Sequence, residues 1–169
     1  MNKIFGLLAD FSYIKVDRTR IVVSYNPEQL EDNIHAVWCE IVFYKKITPN
    51  PSFEQIKKVI LEDIDNEVKR LIIETMTWEN KQVWLSIENQ QNYKTAFDVA
   101  KETGGENLPV KFKLGEEDEP TYVTFTTIEE LKEFWLACCA HIRECLNYGW
   151  QLKDSIDWSK YQRESKDDI

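Results

Sequence analysis

At 169 residues and 20.1 kDa, with 43% hydrophobic and 12% aromatic residues and only five Gly and five Pro, the chain has the composition of a globular protein, not a disordered or fibrous one. A formal net charge of −9 works against nucleic-acid phosphates and anionic membranes as partners, and no apolar run approaches the roughly 20 residues that span a bilayer. No small-residue cleavage site follows the apolar patch in MNKIFGLLADFSYIK, so the expected setting is a cytosol with reduced thiols, where four cysteines need not pair.

The first 50 residues read as strands. SYIKVD and RIVVSY lie on either side of Asp17-Arg18-Thr19, a hairpin turn, and NPEQLEDN reads as a polar loop or short helix. In AVWCEIVFYKKI, alternation sets Val37, Cys39, Ile41 and Phe43 on one face, while Trp38, Val42 and Tyr44 share the other with Glu40. Pro49 and Pro51 stop that strand. Ser52 with Gln55 three residues later is a capping box opening a helix over 53–74, with Phe53, Ile56, Ile60, Ile64, Val68, Leu71 and Ile72 at helical spacing.

Met76–Trp78 and Gln82–Leu85 flank Glu79-Asn80-Lys81 as a small hairpin. Ser86 caps a second helix over 87–103, which Gly104-Gly105 closes in a left-handed C-cap. LPVKFKLGEEDEPTYVTF is a second hairpin, with Val110, Phe112 and Leu114 alternating against Lys111 and Lys113. Thr127 with Glu130 caps a last helix over 128–148, whose buried stripe is expected at Ile128, Leu131, Trp135, Cys138, Ile142 and Cys145, with Gly149 ending or kinking it. The expected fold is α+β, antiparallel hairpins packed with three main helices. It divides into a β-rich segment with a long helix (1–76), a hairpin-helix-hairpin-helix domain (77–161) and a frayed tail (162–169), or else closes on one shared core.

Charge is uneven along this plan. Residues 1–85 hold 11 basic and 13 acidic side chains (11 − 13 = −2), and residues 86–169 hold 10 and 17 (10 − 17 = −7). Such a surplus on helix faces and the GEEDEP turn reads first as a solvated surface.

Three residues invite a chemical reading. Cys138, His141 and Cys145 fall at i, i+3 and i+7, on one helical face, where two thiolates and an imidazole can approach a common point. Zinc, however, takes four ligands, and Cys39, Cys139 and His35 do not complete the set. Cys138 and Cys145 also keep step with the apolar stripe, and free cysteine packs as a small hydrophobe, so the reading is core and not metal. Glu116-Glu117-Asp118-Glu119 lacks the spaced ligands of a calcium loop. No phosphate loop, nucleophile elbow or paired-histidine motif is present, so no catalytic residue and no cofactor is assigned. Asn89-Gln90-Gln91-Asn92-Tyr93 is unusual: four amides open a helix they disfavour, which implies that packing or binding fixes them.

Val83-Trp84-Leu85-Ser86 leading to Glu88-Asn89-Gln90, and Gly149-Trp150 leading to Lys153-Asp154 and Asp157-Trp158, resemble a domain family of unknown function seen in phage and prophage proteins, often near tail-fibre genes. The likeness covers about residues 78–161 and brings no established catalytic residues. It implies a non-enzymatic virion or tail (tail-fibre-associated) component, or an assembly chaperone, in the host cytoplasm during assembly or in the virion. The implied partners are other virion or tail proteins, or a second copy of the chain, without nucleic acid or membrane. Interaction candidates are the aromatics Trp78, Trp84, Trp150 and Trp158 together with Asn89, Gln90, Tyr93 and Asp154. The second class is an acidic phage-encoded inhibitor that binds a host protein as a DNA mimic would.

Overall fold

The computed structural model describes residues 1–116 and 118–162, so Glu117 of the acidic turn and residues 163–169 of the expected tail lie outside it. Strands β1 (Lys3–Leu7), β2 (Ile14–Val16), β3 (Arg20–Gln29) and β4 (His35–Tyr44) precede helix α1 (Phe53–Glu74). Strands β5 (Met76–Trp78) and β6 (Lys81–Val83), helix α2 (Ile87–Thr103), strands β7 (Val110–Gly115) and β8 (Pro120–Phe125) and helix α3 (Ile128–Asp154) follow. The class is α+β. β1–β4 make one antiparallel sheet in the order β1-β4-β3-β2, while β5-β6 and β7-β8 are separate hairpins. The described chain forms two compact units, Met1–Glu67 with the described residues from Gly149 onward, and Val68–Tyr148, so the divisions fall inside α1 and α3.

In the first unit, Ile21 to Tyr25 of β3 are all buried, which means both faces of that central strand are covered. α1 starts on the full capping box: the Ser52 N–H donates to Gln55 Oε1 (2.8 Å) and the Gln55 N–H to Ser52 Oγ (3.2 Å). Its Ile56, Ile60 and Ile64 are buried, and Asp63 accepts the Tyr25 hydroxyl at 2.5 Å. Asp17 and Asp32 tie the two turns of the sheet by accepting backbone N–H groups. Asp32 takes those of Ile34 (2.9 Å) and His35 (2.8 Å), and the His35 bonds together with that of Ile34 hold its carboxyl down at about 2.

Two expectations for this unit are corrected. NPEQ is neither loop nor helix: β3 continues through a bulge between Tyr25 and Glu28, with Asn26 at φ 50°, and pairs on with β4 to Gln29↔Ala36. Pro27 is tolerated because β2 pairs β3 only over Ile21–Val23, so no ladder needs its missing N–H on that side. Gly149 does not end α3. It takes no left-handed φ, and the helix runs on to Asp154, where Lys153 Nζ meets Asp65 Oδ1 at 2.5 Å. Strand β1, which the sequence reading leaves unassigned, pairs with β4 from Lys3↔Cys39 to Leu7↔His35. Its Gly6 is required there: a Cβ at this position would lie 2.7 Å from the Trp38 ring.

The second unit is built round Phe134. Its ring is fully buried and meets Trp78 (5.4 Å), Tyr93 (5.0 Å), Phe112 (5.8 Å) and Phe125 (5.1 Å). The sequence stripe placed Trp135 at this turn of α3, but Trp135 is only half-buried. Neighbours on a helix differ by about 100°, so either ring continues the three-then-four rhythm from Leu131 to Cys138, and packing selects Phe134. Ser86 caps α2 by accepting the Asn89 N–H, Gly104 closes it at φ 67°, and Glu130 accepts the Thr126 and Thr127 N–H groups ahead of α3. The β5–β6 turn is two residues, Glu79 and Asn80, both at positive φ, which matches the right-handed twist of a tight hairpin. Removing the central ring tests this arrangement: Phe134→Ala is expected to cost ~3–5 kcal/mol in denaturant unfolding, whereas Trp135→Ala costs clearly less.

Candidate functional site

The second unit carries a surface cleft of about 680 Å³, bounded by the β5–β6 hairpin, the start of α2 and strand β7. Its floor is apolar. Tyr93 and Phe112 lie 4.6 Å apart, centre to centre, and Tyr93 rests on Phe134. Burial, reinforced by Cys138, pushes the Tyr93 hydroxyl up to about 12, so it stays neutral. Trp84 stands at the rim, 49% exposed, which is unusual for so large an apolar ring.

The amide-rich start of α2 explains how the rim is held. Asn89 Nδ2 donates to the Trp84 carbonyl (2.8 Å) and Gln90 Nε2 to the Leu85 carbonyl (2.8 Å), so two side chains of the helix satisfy the chain that enters it. Gln82 Nε2 likewise donates to the Glu74 carbonyl (2.8 Å). One N–H of each of these amides is thereby engaged, and Asn89 and Gln82 line the cleft. Lys111 and Lys113, exposed along β7, supply ammonium donors on the opposite wall, and Asn92 supplies both kinds of group. The set holds amides, two cations, the Glu116 carboxylate and an aromatic face.

Of the interaction candidates, Trp84, Asn89 and Tyr93 come together at this cleft, and Gln90 supports it from below. Trp78 does not line it, since its ring packs on Phe134. Trp150, Asp154 and Trp158 belong to the first unit. There Trp158 stacks edge-on against Phe53 (6.4 Å) under Lys57 Nζ (5.6 Å). Asp157 accepts the Ser159 hydroxyl (2.6 Å) and N–H (3.1 Å), which lowers its carboxyl pKa, and Tyr161 donates to the Ser24 carbonyl (2.9 Å). Asp154 is exposed at the end of α3, and Trp150 is 57% exposed. Sequence reasoning missed Gln82, Lys111 and Lys113 as site residues. The lysine alternation was visible, but nothing local indicates that β7 lies beside α2.

The cysteine face of α3 has a different environment. Cys138 is fully buried, and burial, with Cys139 adding, pushes its thiol up to about 12. His141 Nε2 lies 3.1 Å from the Leu71 carbonyl, so this nitrogen carries the proton and donates. Cys145 Sγ is 3.6 Å from the same nitrogen, which therefore cannot take the thiol proton, and burial also raises the Cys145 pKa. His35 and Cys39, which alternation along β4 puts on one face, are likewise engaged, His35 with Asp32 (2.6 Å) and Cys39 with the Met1 sulfur (3.7 Å). Among the described residues no three His, Cys, Asp or Glu side chains gather as a metal site, and no helix is long and apolar enough to cross a membrane. Purified protein is expected to lack stoichiometric zinc, and Cys138→Ser to lose ~1–3 kcal/mol of stability by burying a hydroxyl. Near-stoichiometric zinc released by that substitution would contradict a packing role.

No curated protein and no solved structure matches the chain. A family model does match, over residues 55–169, a span that contains both the α2 cleft segment and the Gly149–Trp158 segment. The chain belongs to that family, described as a domain of unknown function (DUF4376).

Proposed function

We propose that the chain is a non-enzymatic phage or prophage protein, a virion or tail (tail-fibre-associated) component or an assembly chaperone, which works through protein contacts made at the Trp84 cleft. One observation carries the reading: a half-exposed indole, its carbonyl held by Asn89, stands over a cleft whose polar groups are amides, the ammoniums of Lys111 and Lys113 and the carboxylate of Glu116. Exposed tryptophans are frequent anchors of protein interfaces, and water-excluding contact over one such ring is worth ~2 kcal/mol or more. The resemblance of the Val83–Gln90 and Gly149–Trp158 segments to phage and prophage proteins supplies the setting, host cytoplasm during assembly or the particle itself. The lysines in the cleft favour this reading over the acidic inhibitor, because a DNA-mimicking surface would not place Lys111 and Lys113 at its recognition site.

Mass spectrometry of purified particles, together with isolation of tail subassemblies from the producing cells, tests it. A structural component is found in particles at fixed stoichiometry. A chaperone is found on the subassemblies and not in particles. In either case Trp84→Ala is expected to reduce recovery about tenfold or more without unfolding the protein. Absence from both fractions, or a Trp84→Ala variant recovered as well as the wild type, contradicts the proposal.

A further inference from the structure

A second surface, in the first unit and independent of the cleft, has a shape that specifies its occupant. β1 is an edge strand. The Leu8 N–H donates to the Ile34 carbonyl (2.8 Å) and the Glu40 N–H to the Asn2 carbonyl (3.0 Å), so the even-numbered residues 2, 4, 6 and 8 face β4. By alternation the N–H and C=O groups of Lys3 and Phe5 and the N–H of Leu7 point away from the sheet, while the Leu7 carbonyl, at the start of the short helical turn Leu8–Asp10, accepts the first bond of that turn and keeps its second lone pair. Apart from Lys3 at its start, the side chains do not blunt this edge. Phe5 is 65% exposed and Leu7 44%, with no proline, bulge or inward charge along the strand. The opposite edge, β2, is only three residues long and carries Lys15 at its centre. His35 stacks flat on Phe5 (5.1 Å, 13°) and is itself held by Asp32, so the Phe5 ring is fixed in place.

We propose that a second copy of this chain occupies the edge, β1 pairing antiparallel with β1 about a two-fold axis at Phe5 to join two four-stranded sheets into one. The strand is complementary to itself in that register. The outward-facing residues meet as Phe5 with Phe5, Lys3 with Leu7 and Leu7 with Lys3, each a reciprocally hydrogen-bonded pair. No like charges oppose one another, the lysine stem lies along leucine, and two aromatic rings sit side by side. On the other face the intervening pairs set Ile4 against Gly6, large against small, where Trp38 already covers the glycine. An unrelated strand would have to reproduce this pattern, whereas a second copy supplies it by symmetry.

Sedimentation velocity on the full chain over a range of concentrations, with amide hydrogen exchange at the two extremes, tests the proposal. The expected result is a monomer–dimer equilibrium in which the amides of Lys3, Phe5 and Leu7 are protected only at high concentration, while those of Ile4 and Gly6 are protected throughout. Phe5→Lys sets two cations directly opposite and is expected to weaken the dimer roughly tenfold or more. Phe5→Tyr keeps the pairing and the dimer. A monomer at all concentrations overturns the proposal, as does a dimer that leaves the Lys3, Phe5 and Leu7 amides unprotected, or a folded Phe5→Lys variant that dimerises like the wild type.

Discussion

The candidate site depends on the burial of one ring. Phe134 is the point where α3, α2 and both hairpins of the second unit meet, through Tyr93, Phe112, Phe125 and Trp78. Two of those four rings, Tyr93 and Phe112, form the floor of the cleft, so what fixes the core also fixes the site. Aromatic pairs in edge-on and tilted contact add ~0.5–1.5 kcal/mol each beyond the area they bury, and each constrains the angle at which its element approaches. A cleft lined from α2 on one side and β7 on the other keeps its width only while both rest on the same ring.

Two segments within the span matched by the family have separate physical roles. Val83–Gln90 builds the rim of the cleft, and Trp84, just past the end of β6, stands outward between the buried Val83 and Leu85. Gly149–Trp158 is mainly structural, its Lys153 pairing with Asp65 and its Trp158 resting on Phe53 beneath Lys57. Trp150 is the exception, an exposed indole on the last turns of α3 for which the structure shows no use.

Helices were the legible part of the fold. Both capping boxes and the Ser86 and Gly104 caps are local signals, and α1 and α2 occupy the spans those signals mark. What depends on distant partners was not legible. β1 is too short and too interrupted by Gly6 to announce itself, and becomes a strand because β4 offers five residues to pair with. The continuation of β3 past Pro27 depends on where β2 stops. Phe134 and Trp135 are equivalent to any periodicity argument, and only the shape of the cavity distinguishes them. The site was half legible: the excess of amides after Ser86 pointed to residues fixed by more than helix propensity, and Trp84 stood out by composition. Gln82, Lys111 and Lys113 join them only through the chain fold, because charged residues alternating in a hairpin read everywhere as a solvated face.

The central claim, that the Trp84 cleft is the surface by which this protein meets its partners, is tested most directly by a photo-crosslinking amino acid placed at position 84 in cells that assemble the particle. A half-exposed side chain on a fixed rim is the position from which such a probe reaches a bound partner without disturbing the core. The account predicts one discrete light-dependent adduct with a virion or tail protein, lost when Lys111 and Lys113 are both replaced by Glu. No adduct from position 84, in cells where the same probe at the exposed Trp150 links the protein to a tail component, would contradict it.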